Sequence, residues 1–63
     1  MIVLSRRLIV ISGVFGSRIE ETITKHHGGI TRTAWQVFNG KDELVLETTD
    51  YDEARKEYDD NWA

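Results

Sequence analysis

Apolar residues crowd the front of the chain and then give way to alternation. Ile2-Val3-Leu4 and Leu8-Ile9-Val10-Ile11 are largely β-branched runs separated by Ser5-Arg6-Arg7. They read as one strand with a polar interruption, or as two short strands. An apolar run without alternation predicts a strand covered on both faces, hence a central one. Gly13-Val14-Phe15-Gly16 then breaks the pattern and predicts a loop.

Residues 17–27 carry two conflicting patterns. Ser17 and Glu20 have capping-box spacing, in which hydroxyl and carboxylate each bond the other residue's backbone N–H. Gly28-Gly29 supplies a stop, Lys25 suits a last turn, and Ile19 and Ile23 share one helical face. Against a helix, Ile19, Thr22, Ile23 and Thr24 are β-branched and lose side-chain freedom there. As a strand, the segment would place Glu21 beside Ile19 and Ile23, a carboxylate among apolar neighbours. That objection selects the helix.

The second half is more regular. Thr31 to Phe38 is a β-branched and aromatic strand, Asn39-Gly40 opens a turn, and Glu43 to Thr48 returns. A loop from Asn39 to Asp42 sets Val37 opposite Leu44 and Trp35 opposite Leu46. It leaves Ala34, Gln36 and Phe38 on the other face, so one apolar face is gathered. Asp50, with Glu53 three residues on, predicts a helix start. Tyr51, Ala54, Tyr58 and Trp62 then form a stripe at helical spacing, with Arg55–Asp59 and Asp52–Lys56 as i,i+4 pairs. The expected architecture is a small α+β domain in the order β-α-β-β-α. In it, an antiparallel sheet of about three strands carries the C-terminal helix. The alternative is a β-meander closed by one helix.

Composition narrows the class. Sixty-three residues are expected to form a single domain, 1–63, with a small core. Below about 70–80 residues one core seldom supplies more than about 3–5 kcal/mol. Absence of Cys excludes disulfides and thiolate metal sites and fits a cytoplasmic protein. No apolar run approaches the ~20 residues of a membrane-spanning helix, so a soluble protein is expected. Ser5-Arg6-Arg7 before an apolar run resembles a twin-arginine export signal, but its removal would leave too little chain to fold.

Charge is sorted along the chain. Arg6, Arg7, Arg18, Lys25 and Arg32 face only Glu20 and Glu21 in residues 1–32. Lys41, Arg55 and Lys56 face nine acids in residues 33–63, and the total is −3. Such separation orients partners and lets copies of one chain attract one another, so a homo-oligomer is expected.

Candidate chemistry is sparse. His26-His27 are adjacent, which is poor geometry for one metal, and no Cys completes a site. Ser5, Ser12 and Ser17 lack a Gly-x-Ser-x-Gly context. A domain of this size has little room for a pocket of ~300 Å³ or more. No catalytic residue, cofactor site or metal site is therefore assigned, and an enzyme is not expected. Gly13-Val14-Phe15-Gly16 ahead of a helix resembles the Gly-x-x-Gly loop with which KH domains clamp a nucleic-acid backbone. Val14-Phe15 offers no basic side chain, and the segment before it reads as strand.

Two interaction surfaces remain. Asp52, Glu53, Glu57, Asp59 and Asp60 would present an anionic ridge to a protein partner. Arg6, Arg7, Arg18, Lys25 and Arg32 would contact phosphates if the partner were nucleic acid. A pI of about 5.2 favours the first. The expected function is a small non-enzymatic interaction or regulatory protein docking on a macromolecular partner. Accessory and inhibitor proteins of phages are of this kind. The alternative is a nucleic-acid-binding module built on the basic half.

Overall fold

The structure, a computed structural model, describes residues 2–11 and 16–62. Val14, Phe15 and the first glycine of the expected loop lie outside the described residues. The chain runs β1 (Ile2–Ile11), β2 (Arg18–Lys25), a 3₁₀ turn (His27–Gly29), β3 (Thr31–Phe38), β4 (Leu44–Thr48) and α1 (Tyr51–Asn61). The four strands form one antiparallel sheet in the order β1-β2-β3-β4. Helix α1 packs across β2, β3 and β4 on one face. The α+β class holds, in its form of a meander closed by one helix.

The helix expected over residues 17–27 is a strand. Ser17 does not cap it; its Oγ donates to the Trp62 carbonyl at 2.7 Å. Glu20 instead accepts from Arg18 Nε at 2.6 Å. With no cap, the β-branched residues follow their extended preference. Gly16 is thus followed by a strand, which removes the likeness to a KH loop and its helix. The two glycines that suggested a helix stop, Gly28 and Gly29, both take φ 78° and turn β2 into β3.

β1 is one continuous strand across Ser5-Arg6-Arg7, and it lies at the sheet edge rather than at its centre. A meander leaves its first strand with a single neighbour. The pairing with β2 is unbroken from Ser5 to Leu8, with irregularities between Val3 and Ser5 and between Leu8 and Val10.

The β3–β4 register also differs. Val37 lies opposite Leu46 and Trp35 opposite Thr48, two residues beyond expectation. A shift of two keeps Trp35, Val37 and Leu46 on one face. An irregularity between Val37 and Phe38 sets Leu44 opposite Phe38 on the other face, where it is exposed, so the expected apolar face forms without Leu44. The longer loop is closed by Asn39, whose Oδ1 accepts from the N–H of Lys41 at 2.9 Å and of Glu43 at 3.0 Å. Asp42 holds φ 63° within it.

Ile19, Val37, Ala54 and Tyr58 form the buried core, with Ile9, Val10, Trp35, Val45, Leu46 and Trp62 packed against it. The expected aromatic stripe is largely in place. Ala54 and Tyr58 are buried, Trp62 is half-buried, and Tyr51 meets Trp35 edge-on with centroids 5.6 Å apart. Asp50 caps α1 by accepting from Asp52 N–H at 2.9 Å. Its own N–H goes to Thr48 Oγ1 rather than to Glu53, so only half of the capping box forms. Arg55 pairs with Asp59 as expected, whereas Lys56 pairs with Asp60 and not Asp52.

Candidate interaction surface

Strand pairing sorts the charged side chains between the two sheet faces. Arg7 lies opposite Glu21 and Glu21 opposite Trp35, on the face that carries α1. Arg7 Nε donates to Glu21 Oε1 at 2.8 Å and Nη2 to Oε2 at 3.3 Å, while Trp35 Nε1 donates to Oε2 at 3.2 Å. These three donors hold the Glu21 carboxyl below the usual carboxylate range, the bond from Arg7 being the largest cause; burial acts against it.

Arg6, Arg18 and Arg32 fall on the opposite face, which no helix among the described residues covers. Arg18 is held there by Glu20 and Asp42, and its guanidinium lies 4.3 Å from the Phe38 ring centroid. Those two carboxylates raise its pKa. Arg6 and Arg32 make no ion pair among the described residues. A chain of polar contacts crosses this face: Thr22 Oγ1 donates to Gln36 Oε1 at 3.0 Å, and Gln36 Nε2 donates to Glu47 Oε2 at 3.1 Å. The face is a shallow depression of about 480 Å³, larger than the chain length led us to expect but open to solvent. Lys25 ends β2 and is exposed.

Four of the five helix acids are exposed and Glu57 is half-buried, and the set is interleaved with Lys56. Asp59 and Asp60 are paired with Arg55 and Lys56, and Glu57 accepts from the Asn61 side chain. Asp52 and Glu53 sit in the first turn, where the helix dipole favours carboxylates. His27 is exposed in the turn; His26 Nε2 contacts Thr24 Oγ1 at 2.8 Å. Among the described residues no group of three potential ligands surrounds a metal position. Nor is any helix there long and apolar enough to cross a membrane.

The surface that sequence reading missed is the outer edge of β1. Ile2, Val3, Leu4, Leu8 and Ile11 are all between 48% and 63% accessible. Only Ile9 and Val10 of this strand pack against the core. The edge of β1 also turns alternate backbone N–H and C=O groups outward, with no strand among the described residues to receive them. The signal for this was Arg6-Arg7 in mid-run, since two adjacent charges cannot both be covered inside a sheet. Comparison of the chain with protein-family models, curated proteins and solved structures gives no match.

Proposed function

We propose that this chain is a small interaction protein, without catalytic chemistry of its own, that docks on a macromolecular partner through the free edge of β1. The observation that carries this reading is the exposed apolar edge strand. Addition of an extended segment to such an edge gains affinity from main-chain hydrogen bonds and specificity from alternate side chains. A protein acting this way occupies its partner rather than turning over a substrate, as an accessory or inhibitory protein does. The acidic outer face of α1 would orient the approach of a basic partner.

The test is site-specific photo-crosslinking in cells, with the reactive residue placed at Leu8 or at Glu53. A discrete adduct from Leu8 and none from Glu53 is the expected result. Adducts from Glu53 alone would move the docking surface to the acidic helix.

A second reading rests on the clustering of Arg6, Arg18 and Arg32 on the open face beside Phe38. Three guanidinium groups on one face supply phosphate contacts for a nucleic acid. Glu20 and Glu47 on the same face oppose it. Anisotropy titrations with single- and double-stranded nucleic acids at about 50 and about 200 mM salt separate the two. Salt-sensitive binding abolished by Arg6→Glu plus Arg32→Glu supports the nucleic-acid reading. Absence of binding at the lower salt removes it.

A further inference from the structure

The second exposed edge of the sheet is β4, and its chemistry complements that of β1. β1 carries Arg6-Arg7 between aliphatic residues, while β4 carries Glu47 beside Leu44, Val45 and Leu46. Leu44 is 53% accessible and Glu47 is exposed. We propose that β1 of one copy pairs with β4 of a second copy, so that the chain assembles front to back into a continuous sheet. The proposal rests on the reading of β1 as a docking edge and names its occupant.

Three relationships favour this occupant. The first is direction: in an antiparallel meander of four strands, β1 and β4 run opposite ways. A second copy, carried sideways with its helix on the same face, therefore presents β4 antiparallel to β1. The second is register. Glu47 lies on the open face opposite Gln36, and Arg6 lies on that face opposite Thr22. Setting Glu47 of one copy beside Arg6 of the next also brings Thr48 beside Ser5 and Leu46 beside Arg7, each pair on a shared face. The irregularity of β4 between Leu46 and Leu44 ends the matched stretch there. The regular stretch of β1, Ser5 to Leu8, is the part that receives them.

The third relationship is exclusion of the simplest competitor. Two-fold pairing of β1 with β1 centred on its regular stretch would set Arg6 opposite Arg6 or Arg7 opposite Arg7, and like charges directly opposite destabilise a ladder. β1 therefore calls for a strand that sets a carboxylate opposite Arg6, as Glu47 of β4 does in this register. Contact between two different edges is heterologous, so it does not stop at a dimer.

The decisive experiment is light-scattering mass measurement and sedimentation of the purified chain across a concentration series at about 50 and about 500 mM salt. A mass that rises with concentration past the dimer, and falls at high salt, is expected. Arg6→Glu and Glu47→Arg should each weaken association by about tenfold. An equimolar mixture of the two variants, or one chain carrying both changes, restores it because each interface then pairs opposite charges. Both positions are exposed, and circular dichroism checks that each variant is folded.

A dimer that forms without sensitivity to Glu47→Arg overturns the proposal. So does a monomer at every concentration. Hydrogen exchange then tells which reading has failed. Fast-exchanging outward amides in Ser5 to Leu8 of a monomer leave β1 free for a foreign strand. Amides there as protected as those of β2 and β3 mean the edge is not free, and the docking reading falls as well.

Discussion

Arg7 and Glu21 face each other across the β1–β2 ladder, and this pair is what makes the second strand possible. Glu21 shares its face with the fully buried Ile19, and only 8% of the residue is accessible. A carboxylate there needs donors for both oxygens. The guanidinium reaches both, at 2.8 and 3.3 Å, while keeping 68% of its own side chain in solvent. The edge strand thus stabilises the charge that its neighbour buries.

This pairing sets a dependence of stability on pH. The folded-state pKa of Glu21 is depressed, chiefly by the hydrogen bond from Arg7. Its contribution is present above the unfolded carboxylate pKa and is lost as pH falls through the folded value. Arg7→Ala should therefore lower the melting temperature at about pH 7, and the gap to the parent chain should narrow towards about pH 3. Thermal melts at both values decide it. A gap that ignores pH would show that Arg7 acts through packing of its stem alone.

The same pair explains what could be read from the sequence. Strands β3 and β4 and helix α1 were legible because alternation, Asn39-Gly40 and the Asp50 cap each report on neighbours close along the chain. β2 was not, because its carboxylate is answered by Arg7, fourteen positions away. Likewise Ser17 signalled a helix cap when its partner is the Trp62 carbonyl, forty-five positions away. The edge position of β1 depends on strand order, which its unalternating apolar runs do not encode. The charged candidates were legible as residues, but their division between two faces required the register.

The core is small enough for single methyl groups to register. Ile19 is fully buried between β1, β3 and α1. Ile19→Val should cost about 0.5–1.5 kcal/mol and Ile19→Ala about 2–5 kcal/mol. One unit of that scale is roughly 4–8 °C in a domain of this size. Calorimetry should record a folded but less stable Val variant. The Ala variant should lose its cooperative transition, because its cost matches the whole stability expected of so small a core.

Two polar contacts hold the helix at its ends. Asp50 accepts from the Asp52 N–H, and Asp50→Ala should cost about 1 kcal/mol. Ser17, fully buried, donates to the carbonyl that follows the last turn, so Ser17→Ala should cost about 0.5–1.5 kcal/mol. Urea denaturation of each variant measures both. Asp50→Asn should recover most of the first loss, since an amide oxygen can also cap. If Ser17→Ala were neutral, the Trp62 carbonyl would have to be solvated in place of the hydroxyl.

Asp42 combines two effects of opposite sign, and they can be separated. Its backbone holds φ 63°, which costs an L-residue about 1 kcal/mol, less for Asp than for most. Its carboxylate accepts from Arg18 Nη1 at 2.5 Å, yet 80% of the side chain is in solvent. Such an exposed pair contributes about 0.2–1 kcal/mol. Asp42→Gly removes the pair but relieves the backbone, so its stability should stay close to that of the parent. Asp42→Ala removes the pair and keeps the strain, so it should be less stable than the Gly variant by about 1 kcal/mol. Raising the salt concentration should shrink the loss in the Ala variant only by the ionic share, because φ is indifferent to screening. Equal stability of the Ala and Gly variants would mean that the loop between β3 and β4 relaxes out of its left-handed turn.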